Sequence, residues 1–189
     1  MKVTSLTSAF ALCFVLGCAK EGAPSVTKTE ATSPVLTTEK GEITVGKPAP
    51  NFVLKAHDGT DLKLAEMKGK PVVVYFYPKD ETPGCTKEAC AFRDAWDTLQ
   101  KSGVILIGVS ADDDASHRKF AEHHKLPFKL VSDPNGDLAK LFGVPFRMGF
   151  VSRQSIVIGE DGNVKRIYRD VDVTRHADEI AADIGAKKG

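Results

Sequence analysis

The chain has 189 residues, of which 42% are hydrophobic and 27% charged, with 26 Lys and Arg against 25 Asp and Glu. This composition is typical of a globular protein with one core, and it excludes a disordered chain of high net charge. The near-zero net charge argues against nucleic-acid binding, and no apolar run reaches the roughly 18 residues of a membrane-spanning helix. Four cysteines are too few for a disulfide scaffold of this length.

The first 17 residues resemble a signal peptide, because one charge, Lys2, precedes the apolar stretch 9–16. The run 15–18, Val-Leu-Gly-Cys, resembles the bacterial lipoprotein box, in which the cysteine becomes lipidated. The competing interpretation is ordinary cleavage after Ala19, with small residues at the recognition positions. We therefore predict an exported protein that is either periplasmic or anchored to a membrane through a lipid on Cys18.

Residues 18–42 predict a flexible linker, because they are rich in Ser, Thr, Lys and Glu and contain no aromatic residue. As a coil this linker would span roughly 25–30 Å on average, enough to hold a domain off a membrane surface. The pattern changes at residue 43, so we assign 43–189 to one globular domain.

Strands and helices alternate along this domain. Two β-branched and aromatic runs without polar alternation, 71–77 and 104–109, predict strands buried on both faces. The other predicted strands are 51–55, 60–64, 128–131, 155–158 and 164–168, the last two forming a hairpin; the predicted helices are 83–101, 114–124, 136–142 and 174–187, the last with Thr174 as N-cap. This order predicts an α/β fold of the thioredoxin type: a central mixed β-sheet flanked by helices, with an N-terminal extension.

The run 77–90, Tyr-Pro-Lys-Asp-Glu-Thr-Pro-Gly-Cys-Thr-Lys-Glu-Ala-Cys, follows the first buried strand. Pro78 ends the strand, and Pro83 favours a first helical turn. Cys85 then falls in that first turn, where free backbone N–H groups and the positive end of the helix dipole stabilise a thiolate. A nucleophilic cysteine needs this environment, because the thiolate is its reactive form.

Cys90 follows five residues later in the same predicted helix. Five helical residues rise roughly 7.5 Å and would separate the two Cα atoms by roughly 8.6 Å. A disulfide usually needs about 4.4–6.8 Å. The spacing therefore favours a bond that forms during a reaction cycle over a static bridge, although neighbouring cysteines in exported proteins are often structural disulfides.

Pro78, Thr82 and Cys85 form a Pro-x-x-x-Thr-x-x-Cys motif that resembles the signature of peroxiredoxins. The longer run 77–90 is similar to their bacterioferritin comigratory protein branch, also called the Q type. The resemblance covers about residues 43–185 and includes the Arg-x-Ser-Ile-Val-Ile strand at 153–158.

The resemblance implies a thiol-dependent peroxidase without cofactor or metal, acting on hydrogen peroxide or organic hydroperoxides. Cys85 would attack the peroxide O–O bond and become a sulfenic acid, which Cys90 would resolve as an intramolecular disulfide. Thr82 would place its hydroxyl beside the thiolate, Pro78 would shield the pocket from water, and Arg153 would donate hydrogen bonds to thiolate and peroxide. A thioredoxin-like dithiol would then reduce the disulfide, and the intramolecular pair predicts a monomer.

Other polar residues receive structural interpretations. His117, His123 and His124 predict an exposed helix face, because no Cys or carboxylate completes a zinc pattern around them. Glu88 is a weaker candidate for the site, because a glutamate in mid-helix is usually solvated. Asp112–Asp114 are expected to cap the following helix.

Two other function classes remain open at this stage. A thioredoxin-like dithiol oxidoreductase usually presents Cys-x-x-Cys, whereas four residues separate the cysteines here. A copper-binding chaperone could use two cysteines and a distant histidine, but its usual spacing is Cys-x3-Cys. Insulin reduction without peroxide consumption would favour the former, and tight Cu(I) binding the latter.

Overall fold

The computed structural model describes residues 35–37 and 43–186, and the structural statements below concern those residues. The strands are β1 Val35–Thr37, β2 Asn51–Lys55, β3 Asp61–Lys63, β4 Val72–Phe76, β5 Ile105–Ser110, β6 Lys129–Ser132, β7 Phe146–Arg147, β8 Phe150–Val151, β9 Gln154–Ile158 and β10 Val164–Tyr168. The α-helices are α1 Pro83–Asp94, α2 Trp96–Leu99, α3 Asp114–His124, α4 Asp137–Leu141 and α5 His176–Asp183. Within this part of the chain, no helix has the length and apolarity to cross a membrane.

Five strands form the central sheet in the order β10-β9-β4-β5-β6. β4, β5 and β6 run parallel, whereas β9 is antiparallel to β4, and β10 to β9. β4 is the middle strand and every one of its residues is buried, which explains its uninterrupted apolar sequence. The predicted thioredoxin-like mixed sheet is therefore confirmed.

Two hydrophobic layers lie against the two faces of this sheet, because successive side chains of a strand point to opposite faces. Val74 and Phe76 join the layer that also contains Leu138 of α4. Val73 and Tyr75 join the other layer, which contains buried side chains of α1, α3 and α5. Helix α1 is thus held against the sheet directly after the strand that leads into it.

Beyond shifts of one residue at the ends of elements, the structure differs from the sequence-based prediction in three regions. The helix predicted over 83–101 breaks at Ala95, and the break allows Trp96 to pack against Phe128 with ring centroids 6.0 Å apart. Thr174 is not an N-cap, because its hydroxyl donates to Asp172 and α5 starts only at His176. A short hairpin, β7–β8, precedes Arg153 in a segment with no predicted element.

The N-terminal predictions lie largely outside the described residues. The predicted signal peptide 1–17, Cys18 and most of the predicted linker 18–42 belong to that part of the chain. Within the linker, Val35–Thr37 forms a strand that pairs antiparallel with β2, so these three residues extend a small sheet of order β1-β2-β3.

Candidate active site

The candidate site lies where β4 leads into α1. Thr82 is the N-cap residue of α1 in extended conformation, and Pro83 takes the first helical position, where its fixed φ favours helix initiation. The N–H of Thr86 donates to the carbonyl of Thr82 and closes the first turn. Cys85 lies inside that turn and is 2% exposed, so its sulfur is buried beside the positive end of the helix.

Arg153 reaches this sulfur from the neighbouring strand. It precedes β9, whose first residue, Gln154, pairs with Phe76 at the end of β4. The Nη2 of Arg153 donates to the Sγ of Cys85 at 3.1 Å, and its Nη1 pairs with a carboxylate oxygen of Glu88. The sheet register therefore brings together two predicted site residues that are 68 positions apart.

Glu88 is buried, and the prediction of a solvated residue was wrong. Burial raises the pKa of its carboxyl to about 7, although the charge and hydrogen bond of Arg153 oppose this shift. Burial opposes protonation of Arg153, but Glu88 and Cys85 outweigh it and raise the pKa of the guanidinium. The sequence did contain a signal for the burial of Glu88. Positions 85, 88, 89 and 92 share one helix face, and the residues there besides Glu88 are a cysteine, an alanine and a phenylalanine.

Gly84, directly before Cys85, faces the same guanidinium. A Cβ at Gly84 would lie 3.4 Å from the Nη2 of Arg153, which is a short van der Waals contact. The arginine therefore lies against the first turn of α1.

A buried polar network anchors the loop between β4 and α1. The carboxylate of Asp80 accepts hydrogen bonds from Tyr77 (2.8 Å), Ser116 (2.7 Å) and His117 (3.0 Å), while its backbone N–H donates to Asp112. Burial opposes ionisation of Asp80, but His117 and the other donors lower its pKa. His117 is fully buried, which corrects the prediction of an exposed helix face: it faces the loop from α3.

The other predicted site residues occupy the same loop and helix. Pro78 is half-buried directly after Tyr77, and the hydroxyl of Thr82 donates to the carbonyl of Lys79 at 2.9 Å. Cys90 lies on α1, partly exposed, and both Cys85 and Cys90 are free thiols. The catalytic roles of these residues stay predictions.

Three polar side chains lie together at the end of α3, and one of them, His124, contacts Cys90. Donor atoms of Glu81, His123 and His124 all lie within 4.8 Å of one another. The prediction that no carboxylate accompanies these histidines was therefore wrong, because the loop before α1 brings Glu81 to the end of α3. Asp113, by contrast, caps α3 as predicted by accepting from the N–H of Ser116.

A thioredoxin-like sheet that presents a buried thiol at a helix N-terminus, with a guanidinium on its sulfur, defines a class of thiol-based redox proteins. The sequence pattern of the AhpC/TSA family matches residues 45–167, more than half of the chain, and the chain belongs to that family.

Individual relatives place the chain near the Q-type branch. Peroxiredoxin Q of Oryza sativa subsp. japonica, named chloroplastic, is 48% identical over 132 residues, which are 69% of this chain and 61% of that protein. The crystal structure of peroxidoxin BcpB from Mycobacterium tuberculosis has a TM-score of 0.70 at 33% identity and covers 78% of this chain and 100% of that one. A bacterioferritin comigratory protein of Xanthomonas campestris gives a TM-score of 0.66 at 33% identity, covering 71% and 90%. The match thus spans about three fifths of the rice relative and nearly all of the two bacterial chains.

The relatives overturn the predicted location. The curated relatives from Oryza sativa and Populus jackii are named chloroplastic. The prediction of an exported periplasmic or membrane-anchored lipoprotein was therefore wrong. That prediction depended on the pattern of residues 1–18, whereas the family match begins at residue 45.

Proposed function

We propose that this protein is a thiol-dependent peroxidase of the Q type, whose reaction is carried by the domain that begins at residue 43. The observation that carries the proposal is the hydrogen bond from Arg153 to the sulfur of Cys85 in the first turn of α1. A guanidinium remains charged at any working pH, so it stabilises the thiolate form of Cys85 and offers donors to a peroxide oxygen that approaches it.

In the first step, the Cys85 thiolate attacks one peroxide oxygen and the O–O bond breaks. The other oxygen leaves with a proton as water or an alcohol, and Cys85 becomes a sulfenic acid. Pro78 and Thr82 line the approach to the sulfur in this proposal. Alkyl peroxide reduction activity is described for the bacterioferritin comigratory protein of Xanthomonas campestris, which supports organic hydroperoxides beside hydrogen peroxide as substrates.

In the second step, the Cys90 thiol attacks the sulfur of Cys85, the S–S bond forms, and the S–O bond breaks with release of water. Both cysteines lie on α1, and five helical residues rise about 7.5 Å, so α1 must unwind between them for the sulfurs to meet. A thioredoxin-like dithiol then reduces the disulfide by thiol–disulfide exchange. Since both sulfurs belong to one helix, a monomer suffices for the cycle.

The test uses the full chain with Cys13 and Cys18 replaced by Ser, so that only two thiols remain. Cys85→Ser should abolish peroxide consumption, because the attacking sulfur is gone. Cys90→Ser should still consume one equivalent of peroxide and hold a sulfenic acid that dimedone traps. Peroxide consumption by the Cys85→Ser variant would contradict the proposal.

A further inference from the structure

Cys90 contacts a histidine that has no role in the two reaction steps proposed for the peroxidase cycle. His124, the last residue of α3, places its Nδ1 4.0 Å from the Sγ of Cys90. The side chain of His124 is only 15% exposed, and the ring of Phe120 packs edge-on against it with centroids 5.0 Å apart. The imidazole is therefore held in place beside the thiol.

The second nitrogen of this ring is bound to a carboxylate. The Nε2 of His124 lies 3.0 Å from an oxygen of Glu81, and the hydrogen bond from His124 is the largest cause that lowers the pKa of Glu81. An ionised carboxylate only accepts hydrogen bonds, so Nε2 carries the proton. In the neutral imidazole, Nδ1 is then left as a proton acceptor that faces Cys90.

The chain holds Glu81 in this position by an uncommon backbone conformation. Glu81 has a φ of +58°, in the left-handed region that residues other than glycine rarely adopt. This conformation costs about 1 kcal/mol or more. Its neighbours maintain this conformation, since Asp80 is anchored in the buried network and the Thr82 hydroxyl is bonded to the loop. The carboxylate is thus directed across to the end of α3.

The remaining charged groups near Cys90 are the guanidinium of Arg93 and its carboxylate partner Asp94. Arg93, one turn further along α1, donates from Nη1 to the backbone carbonyl of His124 at 2.9 Å and ties the two helices together. Its guanidinium also bonds to Asp94, which raises the pKa of Arg93, and the nearby sulfur of Cys90 raises it further. A thiolate at Cys90 would therefore have one guanidinium and one imidazolium beside it. Each of these cations is also hydrogen-bonded to a carboxylate, the imidazolium to Glu81 and the guanidinium to Asp94.

We propose that His124 is the base that deprotonates Cys90 for the resolution step, with Glu81 as its positioning residue. The Cys90 proton passes to Nδ1 and gives a thiolate–imidazolium pair stabilised by Glu81. The thiolate attacks the sulfur of the Cys85 sulfenic acid, the S–S bond forms and the S–O bond breaks. The hydroxide that leaves takes up the proton that the His124 imidazolium releases and becomes water, so the imidazole returns to its neutral form. Oxidation by the peroxide precedes this step, so no other oxidant is required. The assignment rests on the proposed peroxidase function.

The neighbouring histidine provides a matched control. His123 places its Nδ1 3.1 Å from the other oxygen of Glu81, yet its side chain is 69% exposed. The ring of His123 also packs against that of His124, with centroids 4.3 Å apart. His123→Gln therefore removes this ring contact and one hydrogen bond of the same carboxylate, but it keeps the imidazole of His124 that contacts Cys90. All reactions contain EDTA to remove adventitious metal ions.

The first measurement is the rate of Cys90 alkylation by iodoacetamide near pH 7, in the full chain with the other three cysteines replaced by Ser. Because only the thiolate reacts, His124→Gln should slow alkylation about 10-fold or more, while His123→Gln should change the rate by a factor of about two at most. Equal rates in all three proteins would overturn the proposal, as would an equal fall in both variants.

The second measurement is a single turnover with hydrogen peroxide, followed by the fluorescence of Trp96, the single tryptophan, which lies just beyond α1. His124→Gln should keep the oxidation phase and slow the resolution phase about 10-fold or more, with recovery at high pH where hydroxide ionises the thiol. Glu81→Gln should slow only resolution, by a smaller factor. Unchanged resolution in His124→Gln would overturn the assignment of His124, whereas absence of the oxidation phase in every protein would overturn the peroxidase function itself.

Discussion

The guanidinium of Arg153 joins the sulfur of Cys85 to the carboxylate of Glu88, two side chains of α1 that lie one turn apart. The sulfur and the carboxylate therefore share one positive charge in a site that is almost closed to solvent. Low local dielectric makes such contacts stronger than in water, so a change at any of the three groups should affect the other two.

Replacing Arg153 by Lys should lower the second-order rate of Cys85 oxidation by peroxide about 100-fold. A lysine ammonium lacks the planar fork that bonds sulfur and carboxylate together, and removing a preorganised donor typically costs this much. Stopped-flow oxidation by hydrogen peroxide measures the rate. Arg147→Lys, an exposed arginine in β7, is the control and should match the parent protein. A lysine variant with the parental rate would mean that Arg153 does not act on the sulfur.

Glu88→Gln should remove a pH dependence of stability. The pKa of Glu88 is raised from its ordinary value of 4.5 to about 7, so folding favours its protonated form. The contribution of Glu88 to the free energy of unfolding is present below pH 4.5 and is lost as the pH rises through 7. This loss amounts to about 2 kcal/mol between pH 5 and pH 8. Urea unfolding at both pH values should show this loss in the parent protein but not in Glu88→Gln. The exposed Glu160→Gln serves as control, and a parent protein that gains stability over this interval relative to Glu88→Gln would contradict the expectation.

Asp80→Ala should destabilise the protein by about 3 kcal/mol and slow Cys85 oxidation. The substitution removes the acceptor of Tyr77, Ser116 and His117 at once and leaves buried donors without a partner. It also frees the loop that leads into α1. Denaturant unfolding with stopped-flow oxidation tests both effects, and the exposed Asp97→Ala should change neither. Parental stability in Asp80→Ala would show that this network does not hold the loop.

Gly136→Ala and Gly149→Ala form a pair that tests the position of the β7–β8 hairpin. Both glycines have positive φ, +69° and +79°, so both substitutions introduce backbone strain of about 1 kcal/mol. A Cβ at Gly136 would also overlap the Phe146 ring, whereas a Cβ at Gly149 meets nothing within 4 Å. Thermal or urea unfolding should therefore show a loss at Gly136 that exceeds the loss at Gly149 by about 1–3 kcal/mol. Equal losses would mean that Phe146 does not pack there.

The elements that sequence predicted well are those with a strong local pattern. β4 is an unbroken apolar run and α3 carries its own cap, Asp113, so each was placed within a residue or two. The break at Ala95 and the hairpin β7–β8 depend on tertiary contacts, of Trp96 with Phe128 and of Phe146 with Gly136, which no local period encodes.

The residues of the candidate site were likewise predictable where a local pattern marks them and not where distant contacts decide. Cys85 and Arg153 were predicted as partners because a motif resemblance joined them, not because spacing did. The burial of Glu88 and of His117 was not predicted. Each is a titratable residue that is buried together with a partner far along the chain, Glu88 with Arg153 and His117 with Asp80. The approach of Glu81 to the two histidines at the end of α3 is equally non-local.

The most direct test of the peroxidase function mixes the fully reduced chain, with Cys13 and Cys18 replaced by Ser, with one equivalent of hydrogen peroxide. Intact mass and residual peroxide are read together, and the product is mapped by proteolysis without reduction. We predict rapid loss of peroxide, a mass decrease of two hydrogens, and a disulfide between Cys85 and Cys90. Unchanged mass with the peroxide intact would contradict the peroxidase function, because the thiol beside Arg153 would then not react with peroxide.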